Sequence, residues 1–209
     1  MPYNDASCPH DFDEMRKMYD PDLHERSEGP AIKVLTKMLE REGRIILSND
    51  DPRVIDEIRN YRLPKDIVWN PGKDLYVTDL ASFSPGTGTV TLFELETRYE
   101  PHFSRLEARS YGTINIPYRK RHNISDHYFI FNGTFDRFCI INMMLIREEG
   151  TKPPKRQMSH DHRGNRKEEY FIEVPNDSGA THYQEVLEEC RLSPEEIAPQ
   201  KELFDIDSW

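Results

Sequence analysis

The sequence predicts an α/β domain in which a mixed, strongly bent β-sheet is flanked by helices. Three observations carry that expectation. Residues 74–98, DLYVTDLASFSPGTGTVTLFELETR, read as two strands (75–83 and 89–97) around a Pro/Gly-rich turn, with β-branched and aromatic residues in both arms. Residues 27–43 carry the one-sided apolar stripe of an amphipathic helix. Further strand-like runs then alternate with short helical patterns along one chain, as in α/β architectures.

Residues 1–26 are polar and rich in Asp, and read as an arm with a short helix near residues 12–19. Within it, Cys8 and His10 lack matching ligands for a metal pair. Ser27 is a suitable N-cap for the next helix, Glu28 falls in its first turn and Pro30 is tolerable there. Ala31, Val34, Leu35, Met38 and Leu39 form its stripe, and Gly43 ends it. A short strand at 44–48 precedes Asp51-Pro52, an N-cap and N1 pair opening a helix to about Tyr61. Residues 63–73 are turn-rich and lead into the hairpin.

Beyond the hairpin, Glu100-Pro101 opens a helix to about Ser110, residues 113–116 form a strand that Pro117 ends, and Arg119, Lys120, Arg121 and His122 follow. Strands at 127–132 and 137–146 flank the Asn132-Gly133 turn signal. Residues 148–168 hold a single apolar side chain, Met158, and read as a basic exposed loop or hairpin tip before a strand at 170–174. His160-Asp161-His162 within it is two ligands short of a zinc site. An acidic tail, 176–209, carries a helix at 181–190 and a further helical turn from Ser193-Pro194. The chain therefore reads as one domain with its core in residues 27–147.

Within the hairpin, the second arm is apolar on both faces yet ends in Glu94 and Glu96, which share a face because side chains alternate. If paired residue numbers sum to 173, Asp79 lies opposite Glu94; a sum of 172 would place it with Phe93. Three gathered carboxylates repel, and each is costly to bury without an offsetting cation or basic side chain. Hard divalent cations suit such oxygen donors. A hairpin whose acids face solvent is the other reading of the same spacing.

The order of a helix bearing Glu28, a strand bearing Asp79, and Glu94-Leu95-Glu96 at the end of the next strand resembles the PD-(D/E)xK nuclease superfamily over residues 27–147. That resemblance implies a restriction-endonuclease-like fold and a Mg²⁺- or Mn²⁺-dependent endonuclease. Asp79, Glu94 and Glu28 would be metal ligands, with the Leu95 carbonyl as a further one. Two departures stand out: Thr78 replaces the proline of the first motif, and Glu96 stands where most members have lysine. Glu96 would then handle the attacking water, and Lys120 would supply the displaced positive charge near the phosphate.

Charge distribution adds a partner. Residues 98–167 carry 14 Lys and Arg against 7 Asp and Glu, inside a chain of net charge −10. Such asymmetry can focus an anionic ligand on one face. Arg119, Arg121, Lys155 and Arg156 are the candidate DNA contacts, and a homodimer would let such a domain cut both strands. The alternative is a non-catalytic module that uses region 98–167 to bind nucleic acid or protein. No apolar run approaches the ~18 residues of a membrane span, and the N-terminal stretch lacks the apolar segment of a secretory signal. Three scattered cysteines, Cys8, Cys139 and Cys190, fit reduced thiols in a cytoplasmic setting.

Overall fold

The computed structural model describes residues 21–62, 78–160, 166–177 and 179–201. The first 20 residues, the 63–77 segment that includes the start of the expected first arm, Asp161-His162 and the last eight residues lie outside that set.

Two sheets are present rather than one. The larger is mixed and six-stranded, in the order β1 (Ile45–Leu47), β2 (Leu80–Ser84), β3 (Thr89–Arg98), β5 (His127–Asn132), β6 (Arg137–Asn142), β9 (Thr181–Glu185). All its neighbours are antiparallel except β3 and β5. The smaller is antiparallel, β4 (Thr113–Pro117), β8 (Arg166–Pro175), β7 (Lys155–His160). Helices flank the large sheet, which confirms the α/β class.

Alternation along the strands sorts the core into two sides. Phe93, Leu95, Phe129, Phe131 and Phe138 point to one face, where α1 (Pro21–Arg41) lays down Ala31, Val34, Leu35 and Leu39. Val186, Cys190 and Leu192, from the segment around the 3₁₀ turn Glu188–Cys190, complete that layer. A last helix, α5 (Pro194–Lys201), packs against α1. On the other face, Tyr128, Ile130, Cys139 and Ile141 meet Ile114, Ile116, Ile172 and Val174 of the small sheet. Phe103 and Leu106 of α3 (His102–Glu107) and Ile146 of α4 (Met143–Glu149) seal that side. Leu92 and Ala81 pack beneath Val54 and Ile58, from α2 (Pro52–Glu57) and the π-helical turn that follows it.

Several elements differ from their sequence expectation. Helix α1 begins at Pro21, so Ser27 is not its N-cap, Glu28 lies beyond the first turn, and Pro30 sits inside it. An interior proline forfeits one backbone hydrogen bond; here its ring is buried beside Ala31, which offsets the loss. The run 137–146 splits at Asn142, whose side chain accepts from the Met144 N–H and starts α4 (2.8 Å). Residues 181–185 form an edge strand rather than a helix, with Thr181 paired to Ile141 and Glu185 to Arg137. A helical i, i+4 stripe loses there to the unpaired edge of β6. For the basic stretch the hairpin alternative holds over the described residues, where β7 pairs with β8. Among the described residues no helix is long and apolar enough to cross a membrane.

The β5–β6 turn shows how few groups set the hairpin. Asn132, fully buried, accepts the N–H groups of Asp136 and Arg137 through Oδ1 (3.1 Å each) and donates to Asp136 Oδ1 (2.6 Å). Gly133 is required by close approach, because a Cβ there would lie 2.5 Å from the Tyr99 ring. Burial disfavours the Asp136 charge, but Asn132, Thr134 and Arg137 together hold its carboxyl below the ordinary 3.8. A folded-state pKa below the unfolded one means the carboxylate stabilises the fold above about pH 3.8, a contribution lost as pH falls through the folded value. Asp136→Asn is therefore expected to lower the urea midpoint at pH 7 and to approach the parent in acid; a gap of constant size across the titration would exclude the charge as its source.

Candidate active site

Strand β3 positions the acids. Phe93 and Leu95 are committed to the α1 face, so Glu94 and Glu96 project to the side that carries Leu92 and the small sheet. The β2–β3 register pairs Leu80 with Phe93 and Ala81 with Leu92, the spacing in which residue numbers sum to 173. Regular pairing stops at Leu80. Asp79 occupies the bend just before it, where its N–H donates to the Phe93 carbonyl (3.0 Å) and its Oδ2 accepts from the Leu95 N–H (2.7 Å). One carboxylate thus ties down the backbone between the two glutamates.

Glu94 is only 3% exposed. Its counter-charge is Lys120, delivered by the 3₁₀ turn Tyr118–His122 that follows β4, and the two form a direct ion pair. The second carboxylate oxygen accepts from Asn123 Nδ2 (2.5 Å), while Asn123 Oδ1 accepts the Ser125 N–H (2.8 Å). Ser125 in turn faces Thr78 Oγ1 (3.3 Å), so Thr78 helps anchor the loop around Glu94.

Glu96 has a separate set of partners. The Tyr128 hydroxyl and Arg98 Nε (2.5 Å) both donate to it, and Arg98 Nη2 reaches on to the Asn115 carbonyl (2.7 Å). Burial would lower the Arg98 pKa, yet Glu96 beside it holds the guanidinium above the ordinary arginine value. Tyr128 joins the two halves: it is the strand partner of Glu94 across the parallel pair, and Lys120 Nζ stands 6.0 Å from its ring centroid. The arrangement runs from Asn123 through Glu94 and Lys120 to Tyr128, Glu96 and Arg98.

The structure therefore gathers Glu94, Glu96 and Lys120, with Asp79 at the backbone between the acids. Glu28 is carried by α1, across the opposite face of β3. Among the described residues no three His, Cys, Asp or Glu side chains converge as a ready metal cage. Lys155 and Arg156 lie on β7 in the other sheet, where Lys155 pairs with Glu173 (2.6 Å). Arg121 lies over the Tyr118 ring, 3.8 Å from its centroid. The side chain of Arg119 is outside the described set.

Three participants were not apparent from sequence: Arg98, Asn123 and Tyr128. Arg98 has a local signal, since it follows Glu96 at the two-residue spacing of one strand face. Asn123 and Tyr128 have none, because their meeting with Glu94 depends on β5 lying parallel to β3.

Removing Lys120 would leave a buried carboxylate unpaired, which costs about 3–5 kcal/mol. Lys120→Met is expected to destabilise the chain by that order in urea unfolding, with much of the loss restored in Lys120→Met/Glu94→Gln. Equal stability of the two variants would mean that the ion pair contributes little. Comparison with known proteins returned no matching family model, no matching curated protein and no matching solved structure.

Proposed function

We propose that this chain is a divalent-metal-dependent nuclease that hydrolyses phosphodiester bonds in DNA. The observation that carries the reading is the deeply buried Glu94 carboxylate, held against Lys120, with Asp79 bonded to the Leu95 N–H between the two glutamates. Mg²⁺ is commonly held by one or two carboxylates, the remaining positions going to water and substrate phosphate. Two oxygen donors, Asp79 and Glu94, together with the Leu95 carbonyl, suit that mode and need no larger cage. Glu28 is dispensable to it.

A bound Mg²⁺ or Mn²⁺ would polarise the phosphoryl group and supply hydroxide near neutral pH. The chain's own groups do the rest. Lys120, a compact charge on a flexible stem, can turn from Glu94 to a phosphate oxygen and offset the charge that develops there. Glu96 is fixed by Tyr128 and Arg98 as a hydrogen-bond acceptor of set orientation, which suits it to align an attacking water. The order of these residues along the chain is that of the restriction-endonuclease-like fold, which we infer for residues 27–147.

One observation favours a different reading. Glu94 and Glu96 each already have a cation in contact, as in a site that needs no metal. A binding module built on region 98–167 would bind DNA or an acidic protein with strong salt dependence and no response to chelators.

Incubation of plasmid and linear DNA with Mg²⁺ or Mn²⁺ separates the two. The nuclease reading expects cleavage that chelation abolishes and that Asp79→Ala or Glu94→Ala reduces at least about 100-fold. Undiminished cleavage in either variant would remove the site from consideration, and binding without cleavage would select the module.

A further inference from the structure

A second polar site lies farther back along β3. Strand β5 starts at His127, opposite Phe93, so Val90–Leu92 extend past it with no strand on that side. Asp126 closes the first step of the gap: its Oδ2 accepts the Leu92 N–H (2.9 Å) and its own N–H donates to the Leu92 carbonyl (2.8 Å). What remains is a cleft of about 270 Å³ between the β3 overhang and the start of α4, with Arg62, Thr91, His127, Asn142, Met144 and Arg147 on its walls.

We propose that this cleft is a phosphate site, which seats a backbone phosphate of the same strand whose neighbouring phosphate lies at Glu94. The strand assignment rests on the nuclease reading; the phosphate chemistry does not.

The cleft contains a cationic side chain with a donor to spare. Arg62 is committed, bonded to both oxygens of Asp126 (3.2 Å for the longer) and to Glu57 (2.8 Å). Arg147 has no bonded acid partner among the described residues. Its Nε and Nη2 donate to the backbone carbonyls of Asn123 and Ser125 (2.7–3.2 Å), which leaves Nη1 without an acceptor among the described residues. A guanidinium has five N–H donors in a planar fork that matches phosphate oxygens. Arg44 lies outside the cleft, behind Thr91, where it donates to Ser82 Oγ (2.7 Å) and Thr91 Oγ1 (2.6 Å). Arg62 and Arg147 balance the carboxylates of Glu57 and Asp126, so what the cleft offers an anion is the donor at Arg147 Nη1.

The neighbouring groups fit the same ligand. Burial, aided by Arg44, lowers the His127 pKa despite Asp126 nearby, so the ring is neutral at neutral pH and brings no further charge. Burial and Arg62 likewise lower that of Arg147, the strain that an entering anion would relieve. Asn123 bridges the two sites, its amide on Glu94 and its carbonyl on Arg147. Thr91 lies three residues from Glu94 along β3, roughly 10 Å, with its side chain on the opposite face, so the path between the sites runs past Asn123, just ahead of β5.

The test uses the full chain in EDTA, with inorganic phosphate in calorimetry and a short oligonucleotide in a salt titration. Met144 is 70% exposed on the rim, so Met144→Glu adds repulsion without touching the fold. It is expected to weaken binding of both probes about threefold or more, and Met144→Lys to strengthen it. Arg147→Gln should flatten the slope of log K against log salt for the oligonucleotide by about 0.9, the loss of one phosphate contact. Unchanged binding of both probes in Met144→Glu and Arg147→Gln would overturn the proposal. Altered phosphate binding with an unaltered oligonucleotide slope would overturn the strand assignment, and identify free phosphate as the ligand. Failure of the nuclease reading is separable: it would show as no metal-dependent cleavage in the parent, while the effects of Met144 and Arg147 on oligonucleotide binding remain.

Discussion

Strand β3 lies inside the large sheet, with β2 on one side and β5 on the other, and both its faces are covered. Its alternation leaves Glu94 no route to bulk water, because rotating it outward would expose Phe93 and Leu95, while Glu96 is 27% exposed. Each acid must therefore meet a donor or cation where it stands. Lys120 answers for Glu94, and Arg98 with Tyr128 for Glu96. Buried ion pairs add little to stability against an apolar alternative, while breaking one is severe.

That constraint explains much of the surrounding architecture. The turn Tyr118–His122 has to end over β3 for Lys120 to reach, and Asn123 has to follow at once to share the same carboxylate. The loop to β5 is then held from behind by Arg147 and from the side by Thr78. The small sheet contributes as well, since Arg98 spans from Glu96 to the Asn115 carbonyl on β4. Acid pair, loop and second sheet form one connected polar layer beneath the apolar clusters. The cleft behind it exists because β5 begins four residues later than β3 needs for full pairing, a gap only partly closed by Asp126.

Much of this was legible in the chain. The hairpin register was one of two alternatives, and the sum of 173 is the one observed, although regular pairing ends at Leu80 and Asp79 is held by the Leu95 N–H. Short strands bounded by turn residues, the Asp51-Pro52 helix start and the apolar stripe of α1 also came through, since local pattern and packing agree there. Where they disagree, packing prevails. Pro30 lies inside α1 because its ring is buried, and residues 181–185 became a strand because β6 offered an edge.

Sequence alone determined which residues carry charge, which alternate on a strand, and hence that Glu94 and Glu96 face the same way as Leu92. It also supplied the basic run around Lys120. Only the tertiary structure decided that this lysine neutralises Glu94, that Tyr128 and Asn123 join it, and that Glu28 lies across the sheet. Those meetings depend on the parallel union of β3 with β5 and on the stacking of a second sheet, contacts between residues roughly 30 apart that no periodicity encodes. Period and turn chemistry act between near neighbours; the partners of a buried charge are chosen by the whole chain's search for a way to cover it.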